Sequence, residues 1–438
     1  MGGRRNTAQR KLSAGTVFML ALLIVVLCGS ALVLGRLSSG ASVDLSRLSM
    51  NVLDIREDPA RDAALQDDEP EPTPKKKKQS QKAALPEATP VPQGGADSFT
   101  LTVGGSISLS GEVRKNSRST DSKVADYADV MMLLKHRIRS DVNGVFLENV
   151  LSDRYKASDV TAPTSASVLL TEAGFDMAAC GFARAFANGQ DGVVSTLKTL
   201  ESKEIRVTGI RGEDYDASQE VRSIKGIQAA FLQYTSTVAQ KTRKDMEKAG
   251  TSGMVPDADL NLITKEIASA RKKGAEAVIV MLNWGKTAKD PDRTQRTLAE
   301  GIAKAGADLI IGNGSHVPQG AEYFSGKDGK KVLCVWSLGT MLTGDRANIK
   351  RMSGYLLHVT VRRDWQGGVS IADPEYTPLY TWRYKQDGRF YYRCVAADGK
   401  APDGMDSEQR KLMEKAAETV ANALKGSPVS ARDDTDAD

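Results

Sequence analysis

From Phe99 onward, short apolar runs alternate with amphipathic segments of helical period. The run AVIVML at 277–282 is continuous and uncharged, which is typical of a strand covered on both faces. The segments 260–273 and 294–305 carry apolar residues at a helical spacing, and the second leads into another apolar run, ADLIIG at 307–312. Strands that alternate with helices bury both faces of a sheet. The sequence therefore predicts an α/β fold with a central β-sheet flanked by helices.

The remaining elements follow from the same periodicities. Further strands are predicted at 99–103, 205–210, 227–234, 332–338 and 355–362, a β-hairpin about Asp387-Gly388 within 378–395, and helices at 193–200 and 407–424. We expect the folded domain to span 98–398, followed by a C-terminal helix and a tail at 399–438 that is disordered after Pro428.

The N-terminal segment from Ser13 to Gly35 contains no charged residue. A helix of this length covers about 34 Å, which is enough to cross a hydrocarbon core of about 30 Å. Four basic residues precede it: Arg4, Arg5, Arg10 and Lys11. The positive-inside rule keeps such residues in the cytoplasm. We therefore expect a cytoplasmic tail at 1–12, a single transmembrane signal-anchor at 13–35 and an extracytoplasmic body at the cell membrane.

Two other interpretations of this segment are disfavoured. A cleaved signal peptide would have a shorter apolar core and a clear A-x-A site, which the sequence lacks. A lipoprotein signal would place a small residue before Cys28, where Leu27 stands.

Residues 36–97 form an extracytoplasmic linker that becomes rich in proline, alanine and charge. A flexible chain of about 60 residues reaches roughly 40 Å, so the body can stand off from the bilayer. The basic run Lys75–Lys78 is either a contact for an anionic polymer or lipid headgroups, or a solvated spacer.

Composition excludes several function classes. The net charge of +5 is small against 60 basic and 55 acidic residues, and no aromatic-interleaved basic face indicates a nucleic-acid partner. The four cysteines show no CxxC spacing, so buried free thiols are expected rather than a zinc ribbon or a redox pair. GxSxG and Walker phosphate-loop motifs are absent.

Five sequence segments, taken in order, resemble one family. They are TVGGSISLSGEVR at 102–114, FLENVLSD at 146–153, GFDMAACGFARAFANGQDGVVSTL at 174–197, VIVMLNWG at 278–285 and GNGSHVPQG at 312–320. Their order and spacing resemble those of the bacterial capsule-synthesis family known as CapA or PGA_cap, which acts on poly-gamma-glutamate. The resemblance implies a calcineurin-like metallophosphoesterase fold with a sandwich of sheets.

Most positions that bind metal in that family differ here. Gly105 stands where the family has a metal-binding Asp, and Arg184 where it has a His. Asn283 replaces the His of His-Trp-Gly, although Trp284 remains. Of the family's His-rich loop only His316 remains. The resemblance therefore implies a ligand-binding cleft with a degenerate metal site. The cleft residues it points to are Glu148, Arg184, Asn283, Trp284, Asn313 and His316.

These residues leave the chemistry open. Glu148, Asn313 and His316 are weak candidates for one Mn²⁺ or Zn²⁺ ion, because one carboxylate, one imidazole and neutral amides bind such ions poorly. Glu148 can instead be an acid at a helix start, and His316 a loop histidine bonded to backbone. A guanidinium at Arg184 would repel a metal and attract a carboxylate or phosphate.

Three functions remain in view. The first is a pseudoenzyme without a cofactor, anchored in the membrane, that binds an anionic cell-surface polymer or an envelope protein in capsule or poly-gamma-glutamate biosynthesis or anchoring. The second is a metal-dependent hydrolase with a reduced, one-metal site. The third is an envelope scaffold in which the cleft has no role.

Overall fold

The computed structural model describes residues 97–116, 127–213, 220–287 and 289–433. The predicted cytoplasmic tail, signal-anchor and linker lie outside these ranges. Among the described residues, no helix has the length and apolar character needed to cross a bilayer.

The described residues form strands and helices in the alternation that the sequence predicts. The strands are β1 (Asp97–Ile107), β2 (Val142–Leu147), β3 (Val150–Leu151), β4 (Thr161–Ala162), β5 (Met177–Ala179), β6 (Arg206–Thr208), β7 (Val221–Ile224), β8 (Ile227–Thr235), β9 (Ala277–Asn283), β10 (Leu309–Asn313), β11 (Ala321–Ser325), β12 (Lys331–Val335), β13 (Thr340–Leu342), β14 (Ser353–Arg363), β15 (Val369–Gln386), β16 (Arg389–Ala396) and β17 (Ser430–Ala431). The α-helices are α1 (Gly111–Asn116), α2 (Val168–Ala173), α3 (Gly189–Glu201), α4 (Gln240–Lys248), α5 (Leu260–Lys272), α6 (Arg293–Ala305) and α7 (Ser407–Leu424). Short 3₁₀ helices cover Ala128–Val130, Met132–Arg137, Thr164–Ser167, Ser252–Met254, Lys327–Gly329 and Ile349–Met352.

Two mixed sheets account for most of the strands in the described ranges. The first has the order β16-β15-β14-β1-β2-β5-β6, with β13 beside β1 and β17 beside β15. The second has the order β11-β12-β10-β9-β8-β7. In each sheet the central strands run parallel, β1 with β2 and β9 with β8 and β10, and antiparallel strands extend the edges.

The two sheets pack face to face, and helices cover their outer faces. Along β9, the odd-numbered residues from 277 to 281 pack in a core shared with β1 and β14, whereas the even-numbered residues from 278 to 282 pack with α5 and α6. This separation follows from the two-residue period of a strand. A strand buried on both faces must be apolar throughout, which explains the run AVIVML. On the first sheet, α2 and α3 cover the outer face of β2 and β5.

Arg363 joins the amino-terminal ends of strands from both sheets. It is buried, donates to the Gly226 carbonyl at 3.1 Å and to Glu276 Oε1 at 2.7 Å, and forms an ion pair with Asp97. Asp97 begins β1, and Glu276 immediately precedes β9. Because β1 has 11 residues, its carboxyl end lies about 33 Å away at ~3.3 Å per residue. Residues at the carboxyl ends of the parallel strands therefore meet at the opposite end of this domain.

The structure refines several predicted boundaries. β1 extends four residues beyond the predicted Val103, while the strand expected at 332–338 ends at Val335. The chain after Pro428 was expected to be disordered, but Ser430–Ala431 pairs with β15 next to Glu375 and Tyr376. Val429 is buried in the core that the two sheets share, and backbone pairing of the next two residues with β15 orders this piece. The cysteines within the described ranges, Cys180, Cys334 and Cys394, are buried free thiols, as predicted.

Candidate functional site

Polar side chains gather where the parallel strands of both sheets end. Ser106 lies next to the last residue of β1, and Glu148 directly follows β2. In the second sheet, Asn283 and Asn313 end β9 and β10 and are paired in register. With His316, these residues form what we call the strand-end cluster. All but His316 are less than a tenth exposed.

Glu148 is the centre of the strand-end cluster. Its Oε1 accepts hydrogen bonds from Ser106 Oγ at 2.8 Å and from Asn283 Nδ2 at 3.0 Å. Its Oε2 lies 3.0 Å from His316 Nε2. Ser106 belongs to the first sheet and Asn283 to the second, so one buried carboxylate joins the two sheets at this end.

His316 reaches Glu148 from a tight turn after β10. Gly314 has a φ of 108°, and His316 itself has a φ of 60°, a left-handed conformation that is uncommon for a non-glycine residue. At Gly314 a Cβ atom would lie 2.8 Å from the Trp284 carbonyl oxygen, so only glycine fits there. Strain of this kind persists where surrounding contacts fix the conformation. Here the turn places the imidazole over the carboxylate and leaves 36% of the side chain exposed.

Electrostatic interactions favour a negative charge on Glu148 and a positive charge on His316. Burial acts to raise the pKa of Glu148, but the attraction of His316 and the hydrogen bonds from His316, Ser106 and Asn283 together hold this pKa below its ordinary value. The negative charge of Glu148 raises the pKa of His316 against the opposing effect of burial. The geometry therefore favours an ion pair of imidazolium and carboxylate.

The amides of the strand-end cluster are also satisfied by neighbouring groups. Asn283 Oδ1 accepts from Thr237 Oγ1 at 2.8 Å. The Asn313 amide contacts Ser106 Oγ at 2.7 Å through one end and Ser337 Oγ at 3.2 Å through the other. The buried members of the cluster, Ser106, Glu148, Asn283 and Asn313, thus all have hydrogen-bond partners within the protein.

This donor set does not fit the divalent metal that the family resemblance implies. Glu148 Oε1 already accepts two hydrogen bonds, and Oε2 and His316 Nε2 face each other. Zn²⁺ and Mn²⁺ take several carboxylate, imidazole or thiolate ligands. In the part of the chain that the structure describes, no group of three His, Cys, Asp or Glu side chains is placed to hold a metal ion.

The place of the family's first metal-binding Asp is closed by backbone. A Cβ atom at Gly105 would lie 2.4 Å from the Gly339 carbonyl oxygen and 3.1 Å from that of Leu338. No side chain fits at this position unless the chain before β13 moves. The substitution of Asp by glycine is therefore accompanied by a backbone packing that excludes the lost ligand.

The structure brings together four of the six predicted cleft residues: Glu148, Asn283, Asn313 and His316. Arg184 is exposed on the loop between β5 and α3, and no hydrogen bond or ion pair within the described residues joins it to the cluster. Trp284 is 1% exposed, stacks on Trp336 at 5.3 Å between ring centroids and donates Nε1–H to the Trp336 carbonyl at 3.0 Å. It packs in the core behind the second sheet and does not line a cleft.

Sequence reasoning missed Ser106, Thr237 and Ser337, the hydroxyls that complete the network. Ser106 directly follows Gly104-Gly105 at a strand end, and a polar residue at that place is the signal that could have identified it. Thr237 and Ser337 lie on loops, where a hydroxyl is ordinary, so no signal marks them.

The described residues thus form a two-sheet α/β domain with a polar cluster at the carboxyl ends of its parallel strands. Residues 100–345 match the sequence model of one family, described as bacterial capsule synthesis protein PGA_cap. This match covers more than half of the chain. The protein belongs to that family, as the five segments predicted.

Two curated relatives carry related names. The chain is 27% identical over 260 residues to the capsule biosynthesis protein CapA of Bacillus anthracis, covering 56% of this chain and 60% of the relative. It is 29% identical over 157 residues to the PGA biosynthesis protein CapA of Bacillus subtilis (strain 168), covering 35% of this chain and 39% of the relative. In both comparisons the match spans less than two thirds of the relative.

Solved structures similar to this one include phosphoesterases. The calcineurin-like phosphoesterase YfkN from Bacillus subtilis has a TM-score of 0.37 at 11% identity, covering 76% of this chain and 100% of that chain. The NAD nucleotidase NadN of Haemophilus influenzae has a TM-score of 0.39 at 10% identity, covering 77% of this chain and 65% of that chain.

Proposed function

We propose that the protein is a membrane-anchored, non-catalytic member of the PGA_cap family that binds an anionic cell-surface polymer of the poly-gamma-glutamate type during its synthesis or anchoring. Family membership and the names of the two relatives support a role connected with capsule or poly-gamma-glutamate. The uncharged segment Ser13–Gly35 and its basic flank support a single span with the body outside the cell.

The observation that carries the non-catalytic part of the proposal is the Glu148–His316 ion pair. A metal-dependent hydrolase activates water through ions held by several free ligands. Here the remaining carboxylate and imidazole bind each other at 3.0 Å, and Gly339 backbone fills the space at Gly105. The charge that a metal would supply is replaced by a single imidazolium, which can attract a carboxylate but cannot lower the pKa of a bound water as a divalent ion does.

A polar cavity, lined in part by the residues that follow His316 in the sequence, supports polymer binding. It has a volume of about 640 Å³ and is lined by Val317, Gln319, Lys350 and Asn422, among others. Gln319 Oε1 is buried and has no hydrogen-bond partner among the described residues. An amide N–H of a ligand would satisfy it. Poly-gamma-glutamate offers amide links and carboxylates in alternation, and Lys350 is exposed at this cavity to pair with a carboxylate.

The acidic groups of the cavity limit how strongly it attracts an anion. Glu322 forms an ion pair with Arg296, and these charges cancel. The negative charge of Asp290, which also lines the cavity, offsets the positive charge of Lys350. We therefore propose recognition of the repeating amide and carboxylate together, and we do not propose a general attraction for polyanions.

The test is a binding assay with the full chain in detergent and poly-gamma-glutamate, with polyacrylate, which carries carboxylates but no amide, as the matched polyanion. We expect poly-gamma-glutamate to bind more tightly, and Gln319→Leu and Lys350→Ala each to weaken binding by about three- to tenfold, since a net hydrogen bond or exposed ion pair contributes about 1 kcal/mol. Arg184→Ala is the control and should bind like the natural protein.

Two outcomes would contradict this proposal. Binding lost in Arg184→Ala with unchanged folding would move the polymer site to the exposed loop. If the protein binds neither polymer, the polymer-binding function is contradicted and the envelope-scaffold function is favoured.

A further inference from the structure

Trp365 is the most exposed large apolar side chain in the described ranges, at 82%. It lies in the turn between β14 and β15. The other three tryptophans, Trp284, Trp336 and Trp382, are at most 3% exposed. A single indole held in solvent is a candidate contact surface, because burying it against a partner recovers a large apolar area.

The turn that carries Trp365 is held by its own hydrogen bonds. Asp364 Oδ1 accepts from the backbone N–H groups of Gln366 and Gly368, each at 2.8 Å. The Asp364 N–H donates to the Gly368 carbonyl at 2.9 Å. The carboxylate of Asp364 is therefore engaged by the backbone, and the indole projects from an ordered turn.

The position of this turn relates it to the segment that precedes the domain. Arg363, the residue before the turn, pairs with Asp97, the first described residue. The 96 residues before Asp97, which include the predicted anchor, therefore join the domain at the end where Trp365 projects. The strand-end cluster lies at the other end, about 33 Å away along β1.

Basic side chains lie at the same end of the second sheet. Lys272 and Lys273 close α5 just before β9, are exposed, and have no ion pair or hydrogen bond from their side chains within the described residues. Lys225 pairs with Asp141 at 2.8 Å, and Arg362 pairs with Asp373, so these charges are partly neutralised. Two free lysines therefore accompany the exposed indole.

We propose that this end of the domain, with Trp365, Lys272 and Lys273, rests on an anionic lipid bilayer, with the indole at the level of the headgroups. Indole rings favour the membrane–water interface, and each lysine near an anionic leaflet contributes about 1 kcal/mol. This inference rests on the membrane anchoring proposed above. It directs the strand-end cluster away from the bilayer, toward the space where a surface polymer accumulates.

The test uses the full chain reconstituted in vesicles of phosphatidylcholine and phosphatidylglycerol, with and without bromine on the acyl chains. Bromine quenches only indoles that reach the bilayer. The Trp365 signal is the difference between the natural protein and Trp365→Phe, since the other tryptophans are buried. We expect brominated lipid to lower this signal by about twofold or more, as befits an interfacial indole, and Lys272→Glu with Lys273→Glu to reduce the quenching.

A matched control moves the indole to the opposite end. Phe390 is 39% exposed on β16, just after the β15–β16 turn, which is far from Asp97 because β15 runs away from it. In the Trp365→Phe background, Phe390→Trp should give an exposed indole that bromine does not quench.

Three results would overturn the inference. If the protein floats with vesicles but the Trp365 signal is not quenched, this surface does not bind lipid. The membrane anchoring proposed above would then be retained without it. A Trp365 signal that responds only to added poly-gamma-glutamate would assign the surface to the polymer. A chain that does not float with vesicles would contradict both the anchor and this inference.

Discussion

Glu148 remains charged in a buried position because Ser106, Asn283 and His316 all donate to it. Burial of a carboxylate without partners would raise its pKa and neutralise it. A neutral Glu148 would accept fewer hydrogen bonds and would leave donors of both sheets unpaired. The charge of His316 is therefore part of how the two sheets are joined at the site.

The first prediction concerns the pH dependence of this pair. The pKa of His316 is raised above 6.5, so its contribution to the free energy of unfolding is lost as pH rises through the folded value. The pKa of Glu148 is lowered below 4.5, so its contribution is lost as pH falls through the folded value. The pair therefore stabilises the fold most between about pH 4.5 and 6.5, the ordinary pKa values of the two groups.

His316→Gln should lower the free energy of unfolding near pH 6 by about 1–2 kcal/mol, less than a fully buried pair because the imidazole is partly exposed. Urea unfolding at several pH values measures this loss, which should shrink at high pH. The exposed His136→Gln is the control. A loss that is the same at every pH would contradict the ion pair.

The second prediction concerns Gly105. Gly105→Ala should destabilise the protein by about 2–3 kcal/mol, because its Cβ would lie 2.4 Å from the Gly339 oxygen and backbone must move. Gly253→Ala, at a glycine with no atom within 4 Å of the added Cβ, should change stability by less than about 1 kcal/mol. Thermal unfolding compares the two variants. Equal effects would show that a Cβ atom fits at position 105 and would contradict this prediction.

At the scale of elements, local sequence signals fix where helices begin. Asp292 caps α6: its Oδ1 accepts from the Gln295 N–H at 3.0 Å, and Gln295 Oε1 accepts from the Asp292 N–H at 3.2 Å. The sequence signature of this capping box is Asp-x-x-Gln before an amphipathic run. The helix packs its apolar face on β9 and β10, which positions the two asparagines of the strand-end cluster.

The third prediction tests that cap. Asp292→Ala should lower the free energy of unfolding by about 1 kcal/mol, because one backbone donor loses its partner. Glu300→Ala on the same helix removes only an exposed i,i+4 pair with Lys304 and should cost about 0.5 kcal/mol or less. Denaturant titrations compare the two. A larger effect for Glu300→Ala would contradict the role of the cap.

The fourth prediction concerns His358, which lies buried between β1 and β15. Its ring nitrogens contact Thr102 Oγ1 at 2.9 Å and Thr377 Oγ1 at 3.0 Å. Burial, with smaller effects of Arg432 and Arg137, lowers the pKa of His358 to about 3. The unfolded chain therefore binds a proton that the folded chain does not, between about pH 6.5 and pH 3.

Stability should consequently fall on acidification by up to about 1.4 kcal/mol per pH unit from this group alone. His358→Asn should be less stable at neutral pH but should lose less stability between pH 6 and pH 4. Unfolding curves at these pH values measure the slopes. Parallel slopes for the two proteins would contradict a buried neutral His358.

At the scale of the whole molecule, periodicity predicted the elements but not how they assemble. Apolar runs and helical spacing located β8, β9, α5, α6 and α7 to within a residue or two, because a covered strand or helix must match the environment of each face. The arrangement in two facing sheets depends on long-range pairing, such as β14 with β1, which no local pattern encodes. β15 is longer than predicted because a bulge at Asp373, with a φ of 48°, lets one strand continue past a polar stretch.

The site was predictable to the extent that strand ends converge. Glu148, Asn283, Asn313 and His316 follow or end apolar runs, so the resemblance and the strand positions both indicate them. Arg184 was placed by the resemblance alone, and its loop turns the guanidinium to solvent. The ion pair itself depends on the left-handed turn at His316, which the spacing of residues does not reveal.

We propose that the Glu148–His316 ion pair takes the place that a metal holds in other members of the family. The most direct measurement is the metal content of the purified full chain, by mass spectrometry, before and after incubation with Mn²⁺ and Zn²⁺ and removal of the excess. We expect far less than one equivalent in the natural protein and no change in His316→Ala. Close to one equivalent of retained metal, lost in His316→Ala, would contradict it and would assign the site to a metal-dependent hydrolase.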